Sequence, residues 1–195
     1  MRVLKKCPHK AAELEDHCAT LLDDKNHGLM ICGIELALGL VKIKPQFKVH
    51  FHPAARRLIK LLKDLTVQYS SEYDVDGVND PFLQTAILRL LFELCEDEVI
   101  KEDFCALLAQ VTVNLPGRDS TKANYSNTPN SCNAILFECV RAIMLIDAPP
   151  TLKKIGVTVL SSFLQFKDIN SKYISLRSLA VAAVSHKQAV QKHIG

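Results

Sequence analysis

Apolar residues recur along this chain with a helical period. Between positions 53 and 69, Leu58, Leu61, Leu62, Leu65 and Tyr69 stand at i, i+3, i+4, i+7 and i+11, while Arg56, Arg57, Lys60, Lys63 and Asp64 lie mostly off that stripe. That spacing puts the apolar side chains on one face of an α-helix. In 80–96, Leu83, Ile87, Leu90, Leu91 and Leu94 repeat the pattern, with Pro81 suited to the first turn and Asn79 or Asp80 available as a cap. Read throughout in this way, the sequence predicts helices over 11–23, 27–43, 53–69, 80–96, 100–114, 132–146, 150–165 and 170–185, with short ends of further helices at both termini. The run Gly156 to Leu160 looks strand-like, but its neighbours keep helical spacing and it is assigned to a helix.

The helices alternate in character. Segments 27–43, 132–146 and 170–185 are apolar nearly all round, whereas 11–23, 53–69 and 150–165 carry a charged face. An apolar inner helix beside an amphipathic outer one is what stacked helix pairs need. Asn26, Asn79, Asn130 and Asn170 open successive units at spacings of 53, 51 and 40 residues. Each can cap a first turn, and the spacing is near the HEAT and armadillo period. The expected fold class is all-α, an α-α superhelix of paired antiparallel helices, with no sheet of three or more strands. Residues 70–79 read as a joining loop, and 115–131 as a long polar loop, mobile and nonessential to folding.

Composition narrows this further. With 195 residues, 48% hydrophobic and 23% charged, the chain is long enough to fold around one core. A net charge of +3 gives no overall basic footprint for nucleic acid. The seven cysteines, several in apolar runs such as Cys32 and Cys139, fit reduced buried thiols better than a disulfide framework. The stretch Gly28–Val41 is too short to span a bilayer and contains Glu35. No signal peptide is evident; Arg2 to Pro8 reads as the tail of a helix begun earlier, as in a piece of a longer chain.

Candidate chemistry is sparse. His50 and His52 are two apart and His17 adjoins Cys18, but neither spacing puts ligands on one helical face, so no metal site is assigned. No nucleophile elbow or phosphate loop appears, and no catalytic, cofactor-binding or metal residue is assigned. Asn124-Tyr125-Ser126 matches a glycosylation acceptor by chance in a polar loop. Charge is more uneven. Lys42, Lys44, Lys48, Arg56, Arg57, Lys60 and Lys63 occupy 42–63 without an acid, and Glu93, Glu96, Asp97, Glu98, Glu102 and Asp103 crowd 93–103 against Lys101 alone. The basic stretch reads either as a face for an anionic membrane or acidic partner, or as a solvated outer helix face, and the second is favoured.

One stretch is more specific. Residues 69–91, centred on Asp80-Pro81-Phe82-Leu83-Gln84 and Ile87-Leu88-Arg89-Leu90-Leu91, closely resemble the signature of the gamma-type adaptins, large subunits of the type-1 clathrin adaptor complex. Leu22 to Gly28, Leu108 to Val111, Asn133 to Glu138 and Tyr173 to Leu179 resemble further family segments in the same order, so the resemblance covers essentially the whole chain. It departs at Ala86, where the family has Arg, at Phe92, where it has a basic residue, and in an expanded 115–131 loop.

The resemblance implies a trunk segment of an α-solenoid, truncated at both ends, whose concave face holds partner chains. It implies as partners a small sigma chain, a second large chain and a medium chain, with a small GTPase of the ADP-ribosylation-factor type bringing the complex to membranes. It places the protein in the cytoplasm, peripheral on trans-Golgi and coated-vesicle membranes, in traffic with endosomes. The residues that would meet each partner are not assigned. The family's headgroup contacts, part of its dileucine-cargo site, and the hinge and ear that meet clathrin would fall outside this piece. A HEAT or armadillo transport receptor or regulatory scaffold outside vesicle coats is the alternative, and a thiol or metal enzyme a more distant one.

Overall fold

The computed structural model describes Lys6 and residues 13–67, 72–114 and 130–185. Eight α-helices run through them: α1 Glu13–Leu22, α2 His27–Ile43, α3 Lys48–Val67, α4 Pro81–Leu94, α5 Glu98–Asn114, α6 Asn130–Leu145, α7 Pro150–Phe163 and α8 Ile169–Ser185. They form antiparallel pairs, α1 with α2, α3 with α4, α5 with α6 and α7 with α8. Even-numbered helices lie side by side in one layer and odd-numbered helices in the other. The all-α architecture of stacked pairs is therefore the one the periodicity predicts. The only strands among the described residues are β1 Asp74–Val75 and β2 Val78–Asn79, an antiparallel ribbon pairing Val75 with Val78.

The core lies between the layers. Ile34, Leu58, Leu62, Leu83, Ile87, Leu90, Phe104, Leu107, Ile135, Cys139 and Leu160 are completely buried. Removing a leucine side chain from water contributes about 1.5–3 kcal/mol, so these positions hold the pairs together. Small residues let helices approach closely. A Cβ on Gly33 would lie 2.8 Å from Leu21 Cβ and 3.1 Å from the α1 backbone, and the buried Cys18 thiol donates to the Gly33 carbonyl at 3.2 Å. Gly156, inside the strand-like run, sits in helix α7 where a Cβ would meet Met144 and Ile143 of α6.

Several boundaries differ from expectation. Helix α3 begins at Lys48, not at Pro53, which is an interior residue. Pro53 removes one N–H···O bond near the helix start, and the buried Phe47 and Phe51 anchor the turns ahead of it. Helix α6 begins at Asn130, inside the stretch read as loop 115–131. The remainder of that loop, its expected mobility, the glycosylation match, Cys7 and the helix ends at the termini lie outside the described residues. The joining segment 70–79 contains the β-ribbon, turned by Asp76 (φ 56°) and Gly77 (φ 81°). Two consecutive positive φ values are what a two-residue hairpin turn requires, and Asp-Gly is a favoured pair for it.

The four asparagines are not equivalent, and Asn130 is itself the first residue of α6. Asn26 caps α2, its Oδ1 accepting from Leu29 N at 3.1 Å. At α4 the cap is Asp80, which accepts from Leu83 N at 3.0 Å, while Asn79 donates to the Leu65 carbonyl. At α8 the cap is Asp168, bonded to Ser171 N at 2.7 Å, and Asn170 lies one residue inside the helix. These contacts hold the Asp168 carboxyl below its usual range, the Ser171 hydroxyl contributing most.

A candidate partner-binding face on the even layer

The charged residues Arg89, Glu138 and Arg141 of α4 and α6 pair with one another within the even layer, whereas Glu93 of α4 lies 4.0 Å from Lys48 of α3. Helices α2, α4 and α6 each carry only two charged residues: Glu35 and Lys42, Arg89 and Glu93, Glu138 and Arg141. Large apolar side chains share their solvent side: Leu29 is 45% exposed, Phe82 68% and Leu145 55%. Mid-helix burial on one side and exposure of Phe82 and Leu145 on the other make this a face with area to offer a partner. On the odd layer the exposed large apolar residues are Val49, Val67, Val99 and Val113; like Leu29, Phe82 and Leu145 they lie within two residues of a helix end, but all four are the smaller valine.

An ion-pair cluster occupies the middle of the even face. Glu138, largely buried, accepts from Arg89 Nε at 2.7 Å and from Arg141 Nε at 2.8 Å. The Arg141 guanidinium also lies 4.6 Å from the centre of the Phe92 ring. One carboxylate thus orders two half-exposed guanidiniums, and the cluster keeps a net positive charge. A guanidinium has five N–H donors, so each arginine has donors beyond the one that Glu138 receives. Beside the cluster, Arg141, Met144, Leu145, Ile174, Arg177, Ser178 and Val181 line a groove of about 350 Å³ between α6 and α8.

A larger groove, about 610 Å³, opens between α5 and the α6–α7 turn. Its polar groups already satisfy one another: Lys101 donates to Glu98 at 2.7 Å, and Lys153 lies 3.7 Å from Asp147. Burial holds the Cys105 thiol at its edge above the ordinary range. Nothing there is poised for nucleophilic chemistry.

The basic stretch 42–63 is partly neutralised by neighbouring helices. Lys48 donates to Glu96 at 2.6 Å and lies 4.0 Å from Glu93, so it meets the acidic run directly. Arg57 pairs with Asp23 and donates to the Leu22 carbonyl, and His50 pairs with Glu15. Arg56 and Lys60 remain exposed on the outer face of α3. His50 is thus engaged by Glu15, and His17 is exposed while Cys18 is buried. Among the described residues, no group of three or more His, Cys, Asp or Glu side chains could hold a metal ion.

The thiols divide in the same way. Burial pushes the Cys18 thiol up to about 12, with the Glu15 charge adding to it, and the Cys132 thiol up to about 11. Cys139 is raised further, by burial first and by Glu138 second. Cys32, expected to be buried with them, is exposed on the even face. Its helix is apolar all round in sequence, but only one side of it meets the core.

Sequence reasoning did not single out Glu138, Arg141 or Phe92 for binding, and used Arg89 only for family resemblance. The available signal was an arginine between two core leucines, and a Glu-Arg pair at i, i+3 in an otherwise apolar helix.

Comparisons with known proteins agree with this architecture. A family model described as the adaptin N terminal region matches residues 1–194. AP-1 complex subunit gamma-1 of Arabidopsis thaliana is 35% identical over 195 residues, covering 98% of this chain and 21% of that one. AP-1 complex subunit gamma of Dictyostelium discoideum is also 35% identical, covering 99% and 21%. AP-1 complex subunit gamma-like 2 of Homo sapiens is 35% identical, covering 99% and 24%. The chain thus spans about a fifth to a quarter of the length of these curated relatives.

Proposed function

This chain belongs to the adaptin N-terminal family, and on that premise we propose that it is a trunk segment of a clathrin-adaptor large subunit that works by binding partner subunits and catalyses no reaction. The observation that carries this reading is the similarity to gamma subunits along the full chain, at 35% identity. It is supported by an even-layer face that offers exposed Leu29, Phe82 and Leu145 around an ordered arginine pair.

In this reading the small sigma chain docks on the even face. The second large chain and the medium chain complete the complex, and a small GTPase of the ADP-ribosylation-factor type recruits it to trans-Golgi membranes for traffic with endosomes. Membrane attachment is peripheral, through the whole complex; among the described residues no helix is long and apolar enough to cross a bilayer. The 195 residues act as one solenoid segment.

Titration calorimetry with the purified small sigma chain tests this. Saturable heat is expected, competed by unlabelled sigma chain and absent with an unrelated solenoid fragment of similar length. Exposed charge pairs are screened beyond about 8 Å at physiological salt, so binding through apolar area should persist when salt is moderately raised. No saturable heat, or equal binding by the control fragment, would refute the assignment.

A further inference from the structure

We propose that the Arg89–Glu138–Arg141 cluster, with the apolar side chains beside it, is a docking site for an acidic-apolar protein segment: a surface element of a partner that carries a carboxylate flanked by large aliphatic side chains. The proposal rests on the scaffold reading above and assigns to it a chemistry and a position.

The cluster is ordered before any partner arrives. Glu138 accepts from both arginines at 2.7 and 2.8 Å, and its own side chain is only 15% exposed. Arg141 is further fixed over Phe92. Arginine loses much rotamer freedom when it is held by a partner, and here that loss is incurred within the folded chain, so a ligand meets a pre-organised fork. The outward part of each guanidinium is half-exposed, with charge that one carboxylate cannot balance. A second carboxylate satisfies the pair by the charge-assisted geometry arginine favours.

The surroundings decide between a protein and a lipid headgroup. Phe82 lies on the same face of α4, two turns or about 10 Å from Arg89. Leu145 is about 6 Å along α6 from Arg141, at the lip of the groove that Met144, Ile174 and Val181 also line. A headgroup on a flat membrane would use the arginines and leave this apolar area wet. A segment with aliphatic side chains next to its carboxylate covers both. Arg177, also on the groove wall, adds cationic character to the same side.

The test uses the whole chain and three probes: a blocked amphipathic peptide with Glu and Leu on one face, its Glu→Gln counterpart, and phosphatidylserine vesicles. The Glu peptide should bind saturably, and the Gln counterpart about tenfold more weakly, the scale of one lost charge-assisted contact. Arg89→Gln should lower affinity for the Glu peptide to that of the Gln counterpart. Arg56→Gln, on the outer layer, should leave it unchanged. Arg89 is half-exposed, and a circular-dichroism melt of each variant confirms that the fold is retained. Absence of saturable binding by the Glu peptide, equal binding of both peptides, insensitivity to Arg89→Gln, or capture by the vesicles in place of the peptide would overturn the site. With the small sigma chain as ligand, binding unaffected by Arg89→Gln would also overturn it while leaving the scaffold reading intact. No binding of the sigma chain, with the peptides behaving as expected, would instead overturn the scaffold reading and leave the site.

Discussion

Helices α4 and α8 have similar apolar sequences and opposite fates. In α4, Leu83, Ile87, Leu90, Leu91 and Leu94 are completely buried, because α2, α3 and α6 all lie against it. In α8, the buried positions are Ser171, Ser175 and Leu179, while Tyr173, Ile174, Leu176 and Val181 face outward. Segment 170–185, read as apolar nearly all round, packs among the described residues mainly against α7 and, less closely, α6. The comparison teaches that periodicity tells which residues can be buried, and neighbours decide which of them are. In a stacked solenoid every even helix needs a companion on each side. Small residues on the inward side of α8 let it sit close to the stack and leave its bulk pointing away.

Four substitutions sharpen that contrast, in descending order of expected effect on stability. Leu90→Asp places a charge at a fully buried position. The penalty of several kcal/mol is comparable with a total stability of about 5–15 kcal/mol, and chemical denaturation should find the chain unfolded or without a cooperative transition. A soluble, cooperative mutant would show that α4 lies at the surface.

Gly33→Ala comes next. Its Cβ would press on Leu21 at 2.8 Å and on the α1 backbone. Overpacking of this kind costs about 1–3 kcal/mol, read as a lower denaturation midpoint with an unchanged slope.

Asp80→Ala removes the α4 cap and the partner of His27, whose Nδ1 lies 2.7 Å from Asp80 Oδ2. A cap contributes about 1 kcal/mol, and the lost contact to His27 brings the expected loss to about 1–2 kcal/mol. Asp80 also adopts φ 40°. Asparagine tolerates that left-handed conformation and can cap, so Asp80→Asn should recover most of the loss in a thermal melt. Leu176→Asp is the mildest. That residue is 57% exposed on α8, and surface changes of this type stay within about 0.5 kcal/mol. A thermal melt of the variant should overlay that of the parent chain, and a midpoint lower by several degrees would show that α8 is covered at this position.

Much of the fold was legible in the sequence. Seven of the eight helix positions need only a 3.6-residue period and a turn signal, and Pro81 and Pro150 mark the α4 and α7 starts. Helix α3 was read short because Pro53 looks like a first-turn proline, and nothing local says that Phe47 and Phe51 are buried ahead of it. At α4 the cap was left open between Asn79 and Asp80, and Asp80 takes it; at α8 Asn170 was named, whereas Asp168, two residues earlier, bonds the first turn, because which nearby side chain does so depends on backbone angles that composition does not encode. The candidate site was hardly legible. Arg89 and Glu138 are 49 residues apart and belong to different hairpins, so only the stacking of α4 on α6 makes them a pair.

Side-chain oxidation tests most directly which layer carries the partner. Hydroxyl-radical footprinting of the chain, free and bound to the small sigma chain, reports exposure at residues on both faces. On this account Leu29, Phe82 and Leu145 become protected in the complex, while Val49, Val67 and Val99 react as they do in the free chain. Protection of the three valines with unchanged oxidation at Phe82 and Leu145 would place the partner on the odd layer and contradict it.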